Sequence, residues 1–334
     1  MRVLYAYDGS AGSEQARDLL AHLGLPEGSL IEAATVLRPR STLFELGSVP
    51  SDPGEAEAQL IQDLRAELET AARALSGQGR TVETRVLRGR PGQALLAEAE
   101  LIDADLIVMG SRGHGPIQSV LLGSVSTEVT SHARCSVLVA RNALTRRVLL
   151  ATDGTDTSRP AVEAVASWPM FRTLPVDVVS VSQPVSSWIG LDPGGFGSAY
   201  WAELELELAD ERLEAHREIA RSASERLRSV GVQAQDHVAT GSAGQEILEA
   251  AKQFGADLIV TGSRRSSASF PGVIGSVARS VLHHAGASVL IVREPAAPST
   301  AREAETPEAL GVRPAGDPSA TDARTAARTS PAGR

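Results

Sequence analysis

One cysteine, one lysine, a deficit of positive charge and no long apolar run set the first limits on this 334-residue chain. Cys135 stands alone, which excludes an internal disulfide and any zinc site built from several thiolates. A reducing cytoplasm is therefore the expected compartment. Lys252 follows Ala251 and has no glycine frame before it, so the sequence contains no GxxxxGK[ST] phosphate loop. Its cations are almost all arginine, 31 of 32, a compositional preference rather than a functional signal. The net charge of −9 argues against broad binding to nucleic acid or anionic lipid, both of which need a basic surface. The apolar runs at 106–109 and 148–151 fall far short of the ~20 residues of a membrane helix. The chain opens on a strand-like run at 3–7 rather than a hydrophobic leader, so no membrane association is expected.

What is present is the composition of a folded protein, 42% apolar and 22% charged, with length for two or three domains. The chain also repeats itself. Val3-Leu-Tyr-Ala-Tyr-Asp-Gly-Ser10 returns as Val148-Leu-Leu-Ala-Thr-Asp-Gly-Thr155, at an offset of 145. Ala104-Asp-Leu-Ile-Val-Met-Gly-Ser-Arg112 returns as Ala256-Asp-Leu-Ile-Val-Thr-Gly-Ser-Arg264, at an offset of 152. Gly123-Ser124-Val125 and Gly275-Ser276-Val277 share that second offset, as do the runs 136–141 and 288–293. A period of this size is a whole domain, so the chain reads as a duplication at 1–142 and 146–293.

Within each half the pattern alternates between strand and helix. In the first, strands are predicted at 3–7, 30–37, 81–88, 105–109 and 136–140, and helices at 10–23, 55–75, 92–100 and 124–133, with Ser13 as a helix cap. The second half follows suit, its long helix near 202–229. Short, nearly all-apolar strands alternating with helices imply a doubly wound α/β domain, each half with a five-stranded parallel sheet. The stretches 38–54 and 183–200 break the pattern and read as loops suited to respond to a ligand or dock a partner. Residues 294–334, rich in Ala, Pro, Thr and Arg and without periodicity, read as a disordered tail.

The strongest chemical signal follows the fourth strand. Gly110-Ser-Arg-Gly113, nine residues, then Gly123-Ser124 forms a glycine frame that opens a helix. In a doubly wound sheet, ligands sit beyond the carboxyl ends of the strands. Glycines there let the backbone adopt positive φ and approach a ligand closely. The helix N-terminus offers unpaired N–H groups and a positive dipole end to an anion, and the hydroxyls of Ser124 and Ser126 could add donors. Asp8, just past the first strand, could accept from ribose hydroxyls or help hold a magnesium ion, or simply serve a turn.

Asp8-Gly-Ser, the turn Gly89-Arg-Pro91-Gly and the frame G-x2-G-x9-G-S together resemble the universal stress protein family, in its ATP-binding branch and its tandem arrangement. The likeness covers both halves and not the tail. It implies the adenine nucleotide α-hydrolase-like fold and ATP, with Mg2+, as the ligand. By position it implicates Asp8 and Val36 near base and ribose, and Gly110, Gly113, Gly123, Ser124 and Val125 around the phosphates. In the second half Asp153, Val181, Gly262, Gly275, Ser276 and Val277 match. Arg265 replaces the second glycine and Ala243 replaces Pro91. An arginine there would be strained if the position needs positive φ, or would add a guanidinium to the phosphates if it does not.

The resemblance points to a nucleotide-dependent stress-response protein with an adenine nucleotide and an unknown protein as partners. A slow ATP hydrolase and a ligand-free dimerising scaffold are the alternatives. No general base accompanies the frame apart from His114, which reads as a loop residue. His283 and His284, adjacent on a helix, have no third metal ligand at recognisable spacing. A dehydrogenase fails because GxGxxG does not follow the first strand. Pairing through the fifth strands would make the two halves an intrachain pseudo-dimer and protect two sheet edges, with a homodimer of chains possible beyond it.

Overall fold

The computed structural model describes residues 1–37, 53–77, 79–113, 122–183, 198–263 and 274–294. The first half runs β1 (Arg2–Ala6), α1 (Ala11–His22), β2 (Leu30–Leu37), α2 (Pro53–Arg73), β3 (Thr81–Arg88), α3 (Pro91–Leu101), β4 (Leu106–Gly110), α4 (Ser124–His132) and β5 (Ser136–Ala140). The second repeats it as β6 (Val148–Ala151), α5 (Arg159–Ser167), β7 (Val176–Ser182), α6 (Ser198–Ser229), β8 (Ala234–Thr240), α7 (Ala243–Phe254), β9 (Leu258–Gly262), α8 (Ser276–His284) and β10 (Ser288–Val292). The stretches 38–52 and 184–197, within the two proposed loops, and the tail from 295 lie outside the described residues.

The strands form one ten-stranded sheet in the order β3-β2-β1-β4-β5-β10-β9-β6-β7-β8. Each half is parallel throughout and its chain reverses direction beside the first strand, as a doubly wound sheet requires. The halves join where β5 and β10 pair antiparallel, with Val137 opposite Ile291, Leu138 opposite Leu290 and Val139 opposite Val289. These six side chains are buried, each stabilising the folded chain by ~1.5–3 kcal/mol relative to exposure.

Alternation along the strands divides the core into two layers. Val3 and Tyr5 face one side with Leu19 of α1 and Leu68 of α2; Leu4 and Ala6 face the other with Leu95 of α3 and Val129 of α4. Leu138 and Leu290 belong to the first layer, Val137 and Val289 to the second, so both layers run unbroken across the seam.

Helix ends follow local chemistry. Ser10, not Ser13, caps α1: its Oγ accepts from Ser13 N at 3.2 Å, while Ser13 Oγ donates back to Ser10 O at 2.8 Å. Ser13 sits one turn inside, where its hydroxyl is spent on the helix. Pro91 starts α3, where its missing N–H costs nothing. Gly255 ends α7 in the left-handed region, at φ 66°.

Candidate nucleotide site

In each half the carboxyl edge of the sheet gathers the end of the first strand, the end of the fourth and the start of the last helix. Asp8 holds a tight turn after β1. Its Oδ1 accepts from Ser10 N at 3.1 Å and Ser10 Oγ at 2.5 Å. Asp153 repeats this after β6, accepting from Thr155 N at 3.1 Å and Thr155 Oγ1 at 2.6 Å. The intervening Gly9 and Gly154 take φ 75° and 72°. The turn reading of these aspartates therefore holds in both halves, and the turn fixes where the carboxylate points.

The frame glycines do not use the positive φ open to glycine. Gly123 and Gly275 have φ −74° and −61°, and Gly110, Gly113 and Gly262 also lie outside the left-handed region. What Gly110, Gly113 and Gly262 provide is closeness. A Cβ at Gly110 would collide with the backbone of Gly12 and Ser13, and one at Gly262 with the backbone of Thr157 and Ser158. The helix after the first strand thus packs directly on the end of the fourth. At Gly113 a Cβ would overlap Asp8 Oδ2, so the structure brings these two predicted residues into contact. Ser10 Oγ also lies 3.2 Å from Arg112 O, tying the frame to the aspartate turn. Left-handed strain is therefore not what an arginine meets at the Gly113 position. Arg265 itself, like His114, lies outside the described residues.

Gly123 and Gly275 occupy the caps of α4 and α8, and neither helix start has a side-chain cap. Ser124 and Ser276 are exposed, and Val125 and Val277 half-buried, in the first turns. Those turns keep N–H groups without intrahelical partners. Ser126 is a correction. It is buried and its Oγ donates to Gly110 O at 2.9 Å, bracing α4 against β4 rather than facing a ligand.

The second half contains a cavity of about 360 Å³. Asp153, Val181, Gly262, Gly275, Ser276 and Val277 all border it, as does Ala243 in the place of Pro91. Val36 holds the matching place to Val181 near the end of β2, half-buried. One wall residue was not expected, His216 of α6. Its Nδ1 lies 2.7 Å from Oγ of the fully buried Ser180. Burial lowers its pKa, partly opposed by the charge of Asp153, so the ring is biased toward the neutral form. A signal existed: at the offset of 152, α6 core residues Ala220, Ala223 and Leu227 match buried Leu68, Ala71 and Leu75, which sets His216 against Leu64.

Among the described residues no group of three or more His, Cys, Asp or Glu side chains is arranged to hold a metal ion. Nor is any described helix long and apolar enough to cross a membrane. Burial pushes the Cys135 thiol up to about 11, which leaves it unreactive near neutral pH.

Comparison with known proteins agrees with this architecture. The profile of Usp, the universal stress protein family, matches twice, over residues 1–141 and 145–293. A universal stress protein of Thermus aquaticus is 36% identical over 143 residues, 42% of this chain and 97% of that one. Universal stress protein Mb2019 of Mycobacterium bovis is 31% identical over 202 residues, 58% of this chain and 60% of that one. Among solved structures, a universal stress protein from Archaeoglobus fulgidus superposes with a TM-score of 0.61 at 20% identity, covering 87% of this chain and 98% of that one. This likeness is one of fold. With both halves matched in full, the chain belongs to the universal stress protein family as a tandem member, which supports a role in the stress response.

Proposed function

We propose that the chain binds an adenine nucleotide, ATP with Mg2+, at the carboxyl edge of each half and uses occupancy as a signal in the cytoplasmic stress response. The observation that carries this reading is the second-half cavity. Six residues matched to the family's ATP-binding pattern border one space of about 360 Å³, within the ~300–1,000 Å³ usual for ligand pockets. The first half carries the same reading through Asp8, Val36, Gly110, Gly113, Gly123, Ser124 and Val125, which hold the corresponding places.

The chemistry suits a polyanion despite the acidic chain. Glycine at the cap leaves the first-turn N–H groups of α4 and α8 for phosphate oxygens, aided by the helix dipole. The oriented carboxylates of Asp8 and Asp153 suit ribose hydroxyls or a phosphate-bound Mg2+. A nucleotide that fits one arrangement of the loops better than another shifts the population toward it, and that shift is the signal.

The test is to purify the chain without added nucleotide, denature it and identify the released small molecule by mass spectrometry, then titrate ATP, ADP and cyclic AMP. ATP near two per chain supports both sites, and near one supports a single working half. Tighter binding by Arg265→Gly identifies Arg265 as an obstruction. Recovered ADP favours the hydrolase. A chain that is empty and ignores all three nucleotides overturns the proposal in favour of the scaffold.

A further inference from the structure

The seam between the halves contains two arginines in reciprocal positions. Arg141 follows β5, and its guanidinium crosses to the second half, where Nη2 donates to Leu282 O at 2.6 Å and Nη1 to Ala287 O at 3.4 Å. Arg293 follows β10 and crosses the other way, donating from Nη2 to Thr130 O and from Nη1 to Cys135 O, the latter at 3.3 Å. The acceptors correspond one to one at the offset of 152, Thr130 with Leu282 and Cys135 with Ala287. The backbones are exchanged as well: Arg141 N donates to Ser288 Oγ at 3.0 Å and Arg293 N to Ser136 Oγ at 3.2 Å.

The acceptors have a specific place. In α4, Val129 O is taken by Ala133 N, so Thr130 O is the first carbonyl at the helix end without a backbone partner. In α8, Val281 O is taken by Ala285 N and Leu282 O is the equivalent group. Each arginine therefore places a cation on the negative end of the other half's last helix, where charge and dipole agree. Arg293 is 6% exposed, so its guanidinium works in a weakly screened setting. Burial and the nearby Arg112 guanidinium push Arg141 down to about 10, which leaves it charged at neutral pH. Arg112 belongs to the glycine frame of the first half, so the Arg141 guanidinium feels the charge of that frame while it holds α8.

We propose that Arg141 and Arg293 are positioning residues that act across the seam, each holding in place the phosphate-facing helix of the opposite half. The helix ends they grip are the far ends of α4 and α8, whose first turns carry Ser124 and Ser276. Order at one half's cradle thus depends on an arginine encoded in the other half. The consequence for ligand affinity rests on the nucleotide reading above; the grip itself does not.

Hydrogen exchange on the full chain without nucleotide tests the grip. Arg141→Met is expected to speed amide exchange in α8 by about ten- to a hundredfold, the loss expected for charged hydrogen bonds, and to leave α4 near the unaltered rate. Arg293→Met is expected to do the converse. Where a methionine variant fails to fold, lysine at the same position keeps the cation but not the paired contact, and the same crossed pattern follows at smaller amplitude. Loosening of the variant's own half, of both halves alike or of neither overturns the inference. ATP titration then measures the second site alone in a Gly123→Glu background and the first alone in Gly275→Glu. Each arginine change is expected to weaken the opposite site more than its own. Crossed exchange in a chain that ignores ATP sustains the grip and defeats the nucleotide reading. Uncrossed exchange in a chain that binds ATP does the reverse.

Discussion

The two halves share a backbone and differ in the side chains around it. Asp8 and Asp153 make the same turn with the same donors, and Gly110 and Gly262 permit the same close approach of a helix. Elsewhere in the two halves the side chains diverge. Ser126 braces α4 against β4, whereas Ala278 holds its place in α8. His216 stands in α6 where α2 has Leu64. On β2, Glu32 is buried beside Glu98 with half-exposed Arg85 near both; on β7, Asp177 receives Arg147 through two hydrogen bonds and His237 through a third. Duplication has kept the aspartate turn, the close helix approach and the crossed seam arginines, while other side chains differ. The halves are thus one scaffold with two sets of surrounding side chains.

Glutamate at the cap tests this contrast most severely. Gly123→Glu and Gly275→Glu each place a carboxylate where phosphate is proposed to lie, and each should lower ATP affinity of its own half by more than about a hundredfold, since charged hydrogen bonds are worth ~1.5–3 kcal/mol apiece. The added Cβ at Gly123 meets only ordinary contacts, so thermal unfolding of that variant should stay close to the unaltered chain while calorimetric titration loses one site. The shared scaffold is tested next. Gly110→Ala and Gly262→Ala should each destabilise by roughly 1–3 kcal/mol in urea unfolding, because backbone rather than a mobile side chain stands in the way. If one is harmless, the halves do not share the constraint.

The buried carboxylates provide a pH contrast. Burial, and then the adjacent Glu98, push Glu32 from the ordinary 4.5 up to about 7, against the pull of Arg85. The fold therefore prefers the protonated acid. That contribution is complete below pH 4.5 and is lost as pH rises through about 7. Glu32→Gln, which mimics the neutral acid, should be more stable than the unaltered chain at pH 8, with the advantage vanishing near pH 4.5. Equal stability of the two proteins at both pH values would show that Glu32 is ionised without penalty. The smallest effect is expected at His216→Leu, which copies the first half and leaves the Ser180 hydroxyl buried without its ring partner, at a cost of about 1 kcal/mol. His216→Gln should recover part of it, and no loss in either variant would mean that the hydroxyl finds another acceptor.

Much of this arrangement is legible in the residues alone. Strands β2, β3 and β5 begin and end where the apolar alternation places them, and the repeat announces two similar domains. The places where reading failed share a cause. Ser10 and Ser13 both carry cap chemistry, and only backbone geometry decides that Ser10 lies outside the helix and Ser13 within it. Glycine at 110 and 113 reads as backbone freedom, yet the need for a missing Cβ comes from residues about a hundred positions away, Gly12 and Ser13 against Gly110 and Asp8 against Gly113. The reach of Arg141 to Leu282 and of Arg293 to Thr130 has no local signature either. It depends on the antiparallel meeting of β5 and β10, which composition and spacing do not encode.

That meeting has a consequence for how the molecule behaves on dilution. A half standing alone would expose β5 or β10 as an open edge, and covering it would require an encounter with a second molecule. Here the chain from 141 to 147 tethers the two edges, so association is unimolecular and proceeds at an effective concentration on the order of millimolar for a short tether. The pairing, and every contact made through it, is thereby independent of how much protein the cell contains. The two halves therefore stay joined at abundances too low for separate halves to find one another.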